Sequence, residues 1–383
     1  MQFSGLVVHN LARRKVRSAL TCLGVALAVA TVVSLVGFSS GLEQSSEEIY
    51  QGRSIDLVVT RAGVTQRLTS NLDEQLASRL KSVPGVREVN PSLTDIVSFG
   101  EGSLVGIPVH GWPAAGFATE SLALTRGNRL AESDHLGVML GESLAAVLGK
   151  EVGGQVEIEL EKFRVVGIFA GANVYENMSA VVRLVDLQQL MDRPEQVTEF
   201  QLILAPGLAE DRQRLDVVRA KIEALADDRG QRYGLAAQPV REFVEGSTEM
   251  GLARAMSWGT SAIAVFIGSL GMWNTMMMSV LERTQEIGLL KALGWQPQRI
   301  VKMVVFEALL LCLAGAVLGV VGGWLVTHLF AESSALKGLL RPAVSQGALA
   351  ASLVLAALMG IFGSALPAMR AARLSPVEAL HYE

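Results

Sequence analysis

Glu282, Arg283, Glu286 and Lys291 fall within one stretch, residues 281–295, and they are the residues whose types and spacing best suit chemistry in this chain of 383 residues. Ile287, Leu290 and Leu293 with Gly294 share one side at helical spacing, the charges occupy the rest, and Gly294 followed by Pro297 makes a stop. The stretch is therefore a short amphipathic helix. Polar groups around an apolar side do the work of binding rather than of breaking bonds. The sequence offers no catalytic set to set against that. It has no G-x-x-x-x-G-K-[ST] loop to cradle ATP phosphates, and His9, His110, His135, His328 and His381 contain no i, i+4 pair. Gly141-Glu142-Ser143 lacks the second glycine of a nucleophile elbow. No catalytic residue, cofactor or metal is expected on this chain.

The elements that hold the stretch are apolar. Residues 255–281 before it and 308–330 after it carry no Asp, Glu, Lys or Arg, and each is longer than the ~20 residues that cross a bilayer as a helix. Two further uncharged runs, 18–42 and 343–369, make four candidate transmembrane helices. The first follows Arg13-Arg14-Lys15-Val16-Arg17 and contains Ala28-Val29-Ala30, both features of a cleavable secretory signal. The apolar core of a signal is about 7 to 15 residues; this run is longer, so it is read as a retained span. Residues 1–17, with Phe3, Leu6, Val7 and Leu11 at helical spacing, are expected to lie on an anionic membrane face as an amphipathic helix. Gly315-xxx-Gly319-xxx-Gly323 and Ala356-xxx-Gly360-xxx-Ser364 put small side chains on single helix faces, which lets helices pack closely in lipid.

Composition requires a water-soluble part as well. Half of the residues are hydrophobic and mean hydropathy is +0.38, too apolar for an ordinary soluble protein, yet 18% are charged. A net charge of −4, without a basic stripe, argues against a nucleic-acid partner. Cys22 and Cys312 both lie in apolar runs, so the soluble part has no thiol and suits an oxidising compartment. That part is residues 43–253. Residues 55–60 and 86–89 read as strands around a helix over 72–83. A second such set follows: a strand over 199–204, a helix over 211–226 and a strand over 235–240. Two βαβ halves this far apart suggest one α/β unit interrupted by a β-rich insertion over about 100–195. Within the insertion, 155–160 and 163–169 form a hairpin candidate joined at Glu161-Lys162.

Residues 274–310, NTMMMSVLERTQEIGLLKALGWQPQRIVKMVVFEALL, closely resemble the permease subunits of the FtsX-like, MacB-type ABC transporter superfamily. The tail after 370, RAARLSPVEAL, is again close to the end of these permeases, and residues 138–171 resemble, more weakly, the inserted β subdomain of MacB-type periplasmic domains. The resemblance implies four transmembrane helices with a large extracytoplasmic α+β domain inserted between the first and second. It implies that 281–295 is a coupling helix seated in a groove of an ATPase subunit. Glu282, Arg283, Glu286 and Lys291 would then supply polar contacts, Ile287 and Leu290 an apolar knob, and Gly288 and Gly294 close backbone approach. ATP and magnesium belong to that partner, expected in two copies on a separate polypeptide, since MacB has its ATPase ahead of the interfacial helix and no such segment stands here.

The remaining expectations concern orientation and partners. Lys and Arg number four in residues 1–18, four in 282–307 and two after 369, against two in 331–342. The excess places both termini and the 282–307 loop in the cytoplasm of a bacterial inner membrane, with residues 370–383 as a cytoplasmic tail. Family likeness implies a second permease copy in a homodimer, and an adaptor or outer-membrane tunnel on the far side. Met272 and Met276 share a face near one end of the second span and are candidates for a soft substrate lining. Glu307 is expected to be neutralised by Lys302 or Arg299. The function so implied is mechanotransmission by a non-catalytic permease subunit. A lipoprotein-release permease of the LolC and LolE kind and an FtsX-like regulator of cell-wall hydrolases are the alternatives.

Overall fold

The computed structural model describes residues 15–64, 67–100, 104–332 and 346–375. Residues 1–14 of the expected helix over 1–17, nearly all of the 331–342 segment and the tail from 376 onward lie outside the described residues. In chain order the elements are α1 (Lys15–Gln51), β1 (Leu57–Arg61), β2 (Leu72–Asp73), α2 (Leu76–Lys81), β3 (Val86–Phe99), β4 (Leu104–Trp112), α3 (Phe117–Glu120), β5 (Ala123–Gly127), β6 (Gly137–Gly141), α4 (Glu142–Leu148), β7 (Gln155–Ile158) and β8 (Glu161–Ala170). There follow α5 (Val174–Asn177), β9 (Ala180–Arg183), α6 (Leu184–Leu190), β10 (Gln196–Val197), β11 (Glu199–Leu204), α7 (Arg212–Glu223), β12 (Leu235–Pro239), α8 (Val240–Glu245), α9 (Thr248–Glu282), α10 (Thr284–Ala292), α11 (Pro297–Glu332) and α12 (Gln346–Arg373). Among the described residues the chain divides into two compact units, one of 42–251 and one of 15–41, 252–332 and 346–375.

In the first unit, β12-β1-β11-β3 are adjacent and antiparallel throughout, so the two distant halves β1-α2-β3 and β11-α7-β12 interleave in one sheet. Helix α7 forms because Asp211 caps it, its carboxylate accepting from the backbone N–H of Gln213 and Arg214, and because Leu215, Val218 and Ile222 recur on one buried face. The expected helix over 72–83 starts only at Leu76. Asp73 accepts from the Gln75 N–H at 2.8 Å, a local turn that frees Leu72 and Asp73 to pair with β10.

The long strand β3 carries the sheet into the insertion, where β4, β9, β6, β8 and β5 follow in order and β7 pairs with β3 and β8. One core joins both regions, since Leu57, Leu80, Phe200 and Ile222 belong to the same buried cluster as Val138, Leu140, Phe163 and Val182. The β7–β8 hairpin turns at Glu159-Leu160, two residues ahead of the expected Glu161-Lys162, because Ile158 pairs with Glu161. Glu159 and Leu160 both take positive φ, +45° and +73°, as a tight two-residue hairpin turn demands.

The second unit is helical. Four of its helices among the described residues are long and apolar enough to span a membrane. Three begin earlier than their uncharged runs: α1 at Lys15, α9 at Thr248 and α11 at Pro297. Proline at the first helical position costs no hydrogen bond, and the charges in the opening turns of α11 do not interrupt it because Arg299 and Lys302 are exposed and Glu307 is paired. The two small-residue faces are packing seams. A Cβ on Gly315, Gly319 or Gly323 of α11 would lie 2.6–2.9 Å from the carbonyl oxygens of Cys22, Ala26 and Ala30 of α1, and as close to Val25, Val29 and Val33. On α12, Ala356 and Ser364 are buried, and a Cβ on Gly360 would meet Cys312 Sγ at 3.2 Å.

Candidate functional site

Helix α10 begins one residue after α9 ends. Arg283, between them, has φ −111° and ψ 18°, so the helical ladder breaks there. Its guanidinium turns inward, donating from Nη1 to Glu307 Oε2 of α11 and from Nε to Glu286 Oε2, each at 3.0 Å. The Arg283 and Glu307 side chains are 10% and 8% exposed. Charges so buried are tolerated only when each has a partner. Glu307 is therefore neutralised by Arg283, not by the expected Lys302 or Arg299, which lie on exposed positions of its own helix.

The other polar residues of the stretch are also engaged within the chain. Glu282 pairs with the Arg17 guanidinium of α1, both about 30% exposed. Lys291 Nζ donates to the carbonyl oxygens of Ala372, at 2.9 Å, and Leu374. Those carbonyls stand at the C-terminal end of α12, where helix oxygens lack partners and the macrodipole favours a cation. Ile287 is 1% exposed and Gly288 is buried, both facing the helices that carry α10. Gly294, at φ +89°, closes the helix, with its N–H on the Lys291 oxygen and the Trp295 N–H on that of Leu290.

Outward along α10 and its cap stand Gln285, Glu286, Leu289, Ala292 and Leu293, the two leucines 54% and 71% exposed. Of the expected apolar side, Ile287 is core and Leu290 half-buried, and the exposed leucines are Leu289 and Leu293. Arg283 and Gly288 are buried, and Gly294 serves a turn. Helical spacing groups residues into stripes but cannot say which stripe meets the chain's own helices, and Leu289 and Leu293, four apart, were the signal that was available.

Met272 and Met276 are 1% and 2% exposed and belong to the core of the helical unit. Met272 fills the space beside Gly363 of α12, where a Cβ would lie 2.7 Å from its Cγ. The groove of about 600 Å³ between α9 and α12 is lined by other residues, among them Trp258, Ser261, Phe266, Trp273, Phe362 and Leu366, and its surface is mainly apolar.

Comparison with known proteins fits this architecture. Residues 18–225 match the family model for the MacB-like periplasmic core domain, and residues 258–376 match that for the FtsX-like permease C-terminal region. The chain is similar to the macrolide export ATP-binding/permease protein MacB of Bdellovibrio bacteriovorus, 26% identical over 410 residues that cover 98% of this chain. It spans 61% of that relative's length. It is also 26% identical over 403 residues to the uncharacterized ABC transporter permease YvrN of Bacillus subtilis, covering 96% of each. Among solved structures, the periplasmic region of MacB from Actinobacillus actinomycetemcomitans aligns with 51% of this chain and 96% of its own, at 17% identity and a TM-score of 0.39.

Proposed function

Because this chain belongs to the FtsX-like, MacB-type family of ABC transporter permeases, we propose that it is the membrane subunit of an ATP-driven transporter and that its ATPase docks on α10. One observation carries the reading: α10 and its cap present Leu289 and Leu293 beside Gln285 and Glu286, while the segment is fastened at both ends, by Arg283 to Glu307 of α11 and by Lys291 to the end of α12. An exposed apolar pair on a braced helix suits a groove in a partner, and the fastened ends can take load from it.

On this reading the chain is not itself an enzyme. ATP and magnesium are held by two copies of the ATPase, and two permease copies share the bilayer. The termini and α10 face the cytoplasm, and the inserted domain lies across the inner membrane, where it works on a substrate with or without an adaptor and outer-membrane tunnel. Closure of the ATPases pushes on α10 and the push reaches the inserted domain, which is mechanotransmission. The mainly apolar character of the α9–α12 groove supports movement of substrate on the far side over conduction of polar cargo between the helices.

The test is purification of the chain from solubilised membranes of its own organism, with ATP turnover measured for the native chain and for Leu289→Asp with Leu293→Asp. The native chain is expected to bring an ABC ATPase with it, and the double variant to lose about tenfold or more of that association, as removal of a central apolar anchor does. A native chain that purifies without ATPase overturns the reading.

A further inference from the structure

We propose that the open edge of β5 takes up an extended acidic segment of another polypeptide as an added strand. The proposal concerns the inserted domain alone and holds whether or not α10 binds an ATPase. The 10-stranded sheet, followed from neighbour to neighbour, ends at β12 on one side and β5 on the other. A free edge carries unpaired N–H and C=O groups, which folded chains normally cover. The β12 edge is covered: Arg219 Nε of α7 donates to the Ala237 oxygen at 2.8 Å, and Glu223 Oε1 accepts the Ala237 N–H at 3.2 Å. Strand β7 has no open side either. It pairs with β8 on one side and meets β3 on the other, where Phe99 faces Ile158 and the Gly100 N–H donates to the Glu157 oxygen at 3.0 Å. Strand β5 differs, since four of its five residues are exposed and Leu124 is half-buried.

The register shows which groups of β5 face outward. The Asn128 N–H donates to the Val166 oxygen at 2.9 Å, which makes Gly127 and Gly167 a wide pair of the antiparallel ladder. Members of a wide pair do not bond each other, so the Gly127 N–H and C=O point away from β8. A side chain has no room there: a Cβ on Gly127 would lie 2.4 Å from the Val166 oxygen and 2.9 Å from Val152 Cγ2. An approaching backbone therefore meets the amide directly. The bulge between Leu124 and Arg126 interrupts the edge but leaves its Gly127 end open. Charge selects the occupant. Arg126 and Arg129 stand exposed on either side of Gly127, and among the described residues neither forms an ion pair; Arg129 Nη2 donates to the carbonyl oxygens of Glu120 and Leu122, at 2.9 and 3.0 Å. Arg164 of the neighbouring β8, by contrast, pairs with Asp134. Two uncompensated guanidinium groups beside open backbone favour carboxylates on the added strand. They also oppose β5 of a second copy as the occupant, because like charges would be brought together.

The full chain in lipid nanodiscs is titrated with a fluorescent, end-capped probe peptide, Glu-Val-Thr-Val-Glu-Val-Thr-Val-Glu, and binding is read by anisotropy. Saturable binding is expected and, at saturation, exchange of the amide hydrogens over 123–128 slowed about tenfold. Strand addition uses every second amide of the probe. Of two versions N-methylated at alternate residues, odd or even, one should therefore bind about tenfold more weakly, the worth of one to two backbone hydrogen bonds. Arg126→Glu should weaken the probe about tenfold and favour a version with Lys in place of Glu. Lys162→Glu, the same charge change on an exposed position of β8, should stay within about twofold of native. Absence of saturable binding, native-level binding of both N-methylated versions, or protection that spares 123–128 overturns strand addition at β5. Equal effects of Arg126→Glu and Lys162→Glu overturn the acidic occupant. A native chain that purifies without ATPase removes the reading of α10 and leaves these measurements untouched.

Discussion

Arg283 holds Glu307 at 3.0 Å across 24 positions of sequence, with both side chains nine-tenths buried or more. The pair fixes where the charged stretch sits: the buried Arg283 guanidinium ties the start of α10 to α11.

Removing one member should therefore cost more than removing both. Glu307→Gln or Arg283→Met alone is expected to destabilise the helical unit by about 3 kcal/mol, because the survivor loses its buried partner of opposite charge. Replacing both by Met, of similar apolar volume, should cost clearly less than either single change. Unfolding of the purified chain in mixed detergent micelles measures the three values, and a double variant weaker than both singles would contradict the argument.

The glycine seam is expected to discriminate sharply between glycines on neighbouring faces. A Cβ on Gly319 would lie 2.6 Å from the Ala26 carbonyl oxygen, a backbone atom that cannot step aside, whereas nothing stands within 4 Å of Gly271 on α9. Gly319→Leu should separate α11 from α1 and destabilise by at least ~2 kcal/mol, in the range of overpacked cores. Gly271→Ala should be neutral or slightly stabilising, since alanine is the better helix former. Thermal unfolding of the two variants side by side reads the contrast.

In the inserted domain the hairpin tip is a place where stability is open to improvement. Leu160 is 85% exposed and sits at φ +73°, so it buries little and bears the steric cost of the left-handed region. Leu160→Gly should raise stability by about 1 kcal/mol. Glu159 should be left alone despite its φ of +45°, because its Oε1 accepts the Ser98 N–H at 2.7 Å. A fall in melting temperature for Leu160→Gly would show that the exposed leucine has a contact worth more than the backbone relief.

Asp56 gives this domain a predictable response to pH. Burial pushes its carboxyl above the usual Asp value, opposed in part by the Leu204 N–H donated to Oδ2 at 2.8 Å. A raised acid binds its proton more tightly in the folded state. Folding is thus favoured as pH falls toward the ordinary Asp range, and that contribution is lost as pH rises through the folded value. Asp56→Asn, which keeps an acceptor for Leu204, should flatten this part of the profile and be the more stable form at neutral pH. Unfolding midpoints across the acid range, native against variant, provide the check.

The residue pattern alone disclosed the four uncharged runs, the mixed domain between the first two and the helical character of 284–292, because helix formation and membrane insertion depend on local composition and period. The interleaving of β11 between β1 and β3 was not legible: strand order is set by which edges find partners in space, and Glu199 to Leu204 meet Val86 to Ser92 across more than a hundred residues. The same limit governed the site. Sequence marked Glu282, Arg283, Glu286 and Lys291 as a group, but only the packing of α10 against α11 and α12 turned Arg283 and Ile287 inward and left Leu289 and Leu293 outside. Burial is a property of what stands opposite a side chain, and nothing in the spacing of a single helix records that.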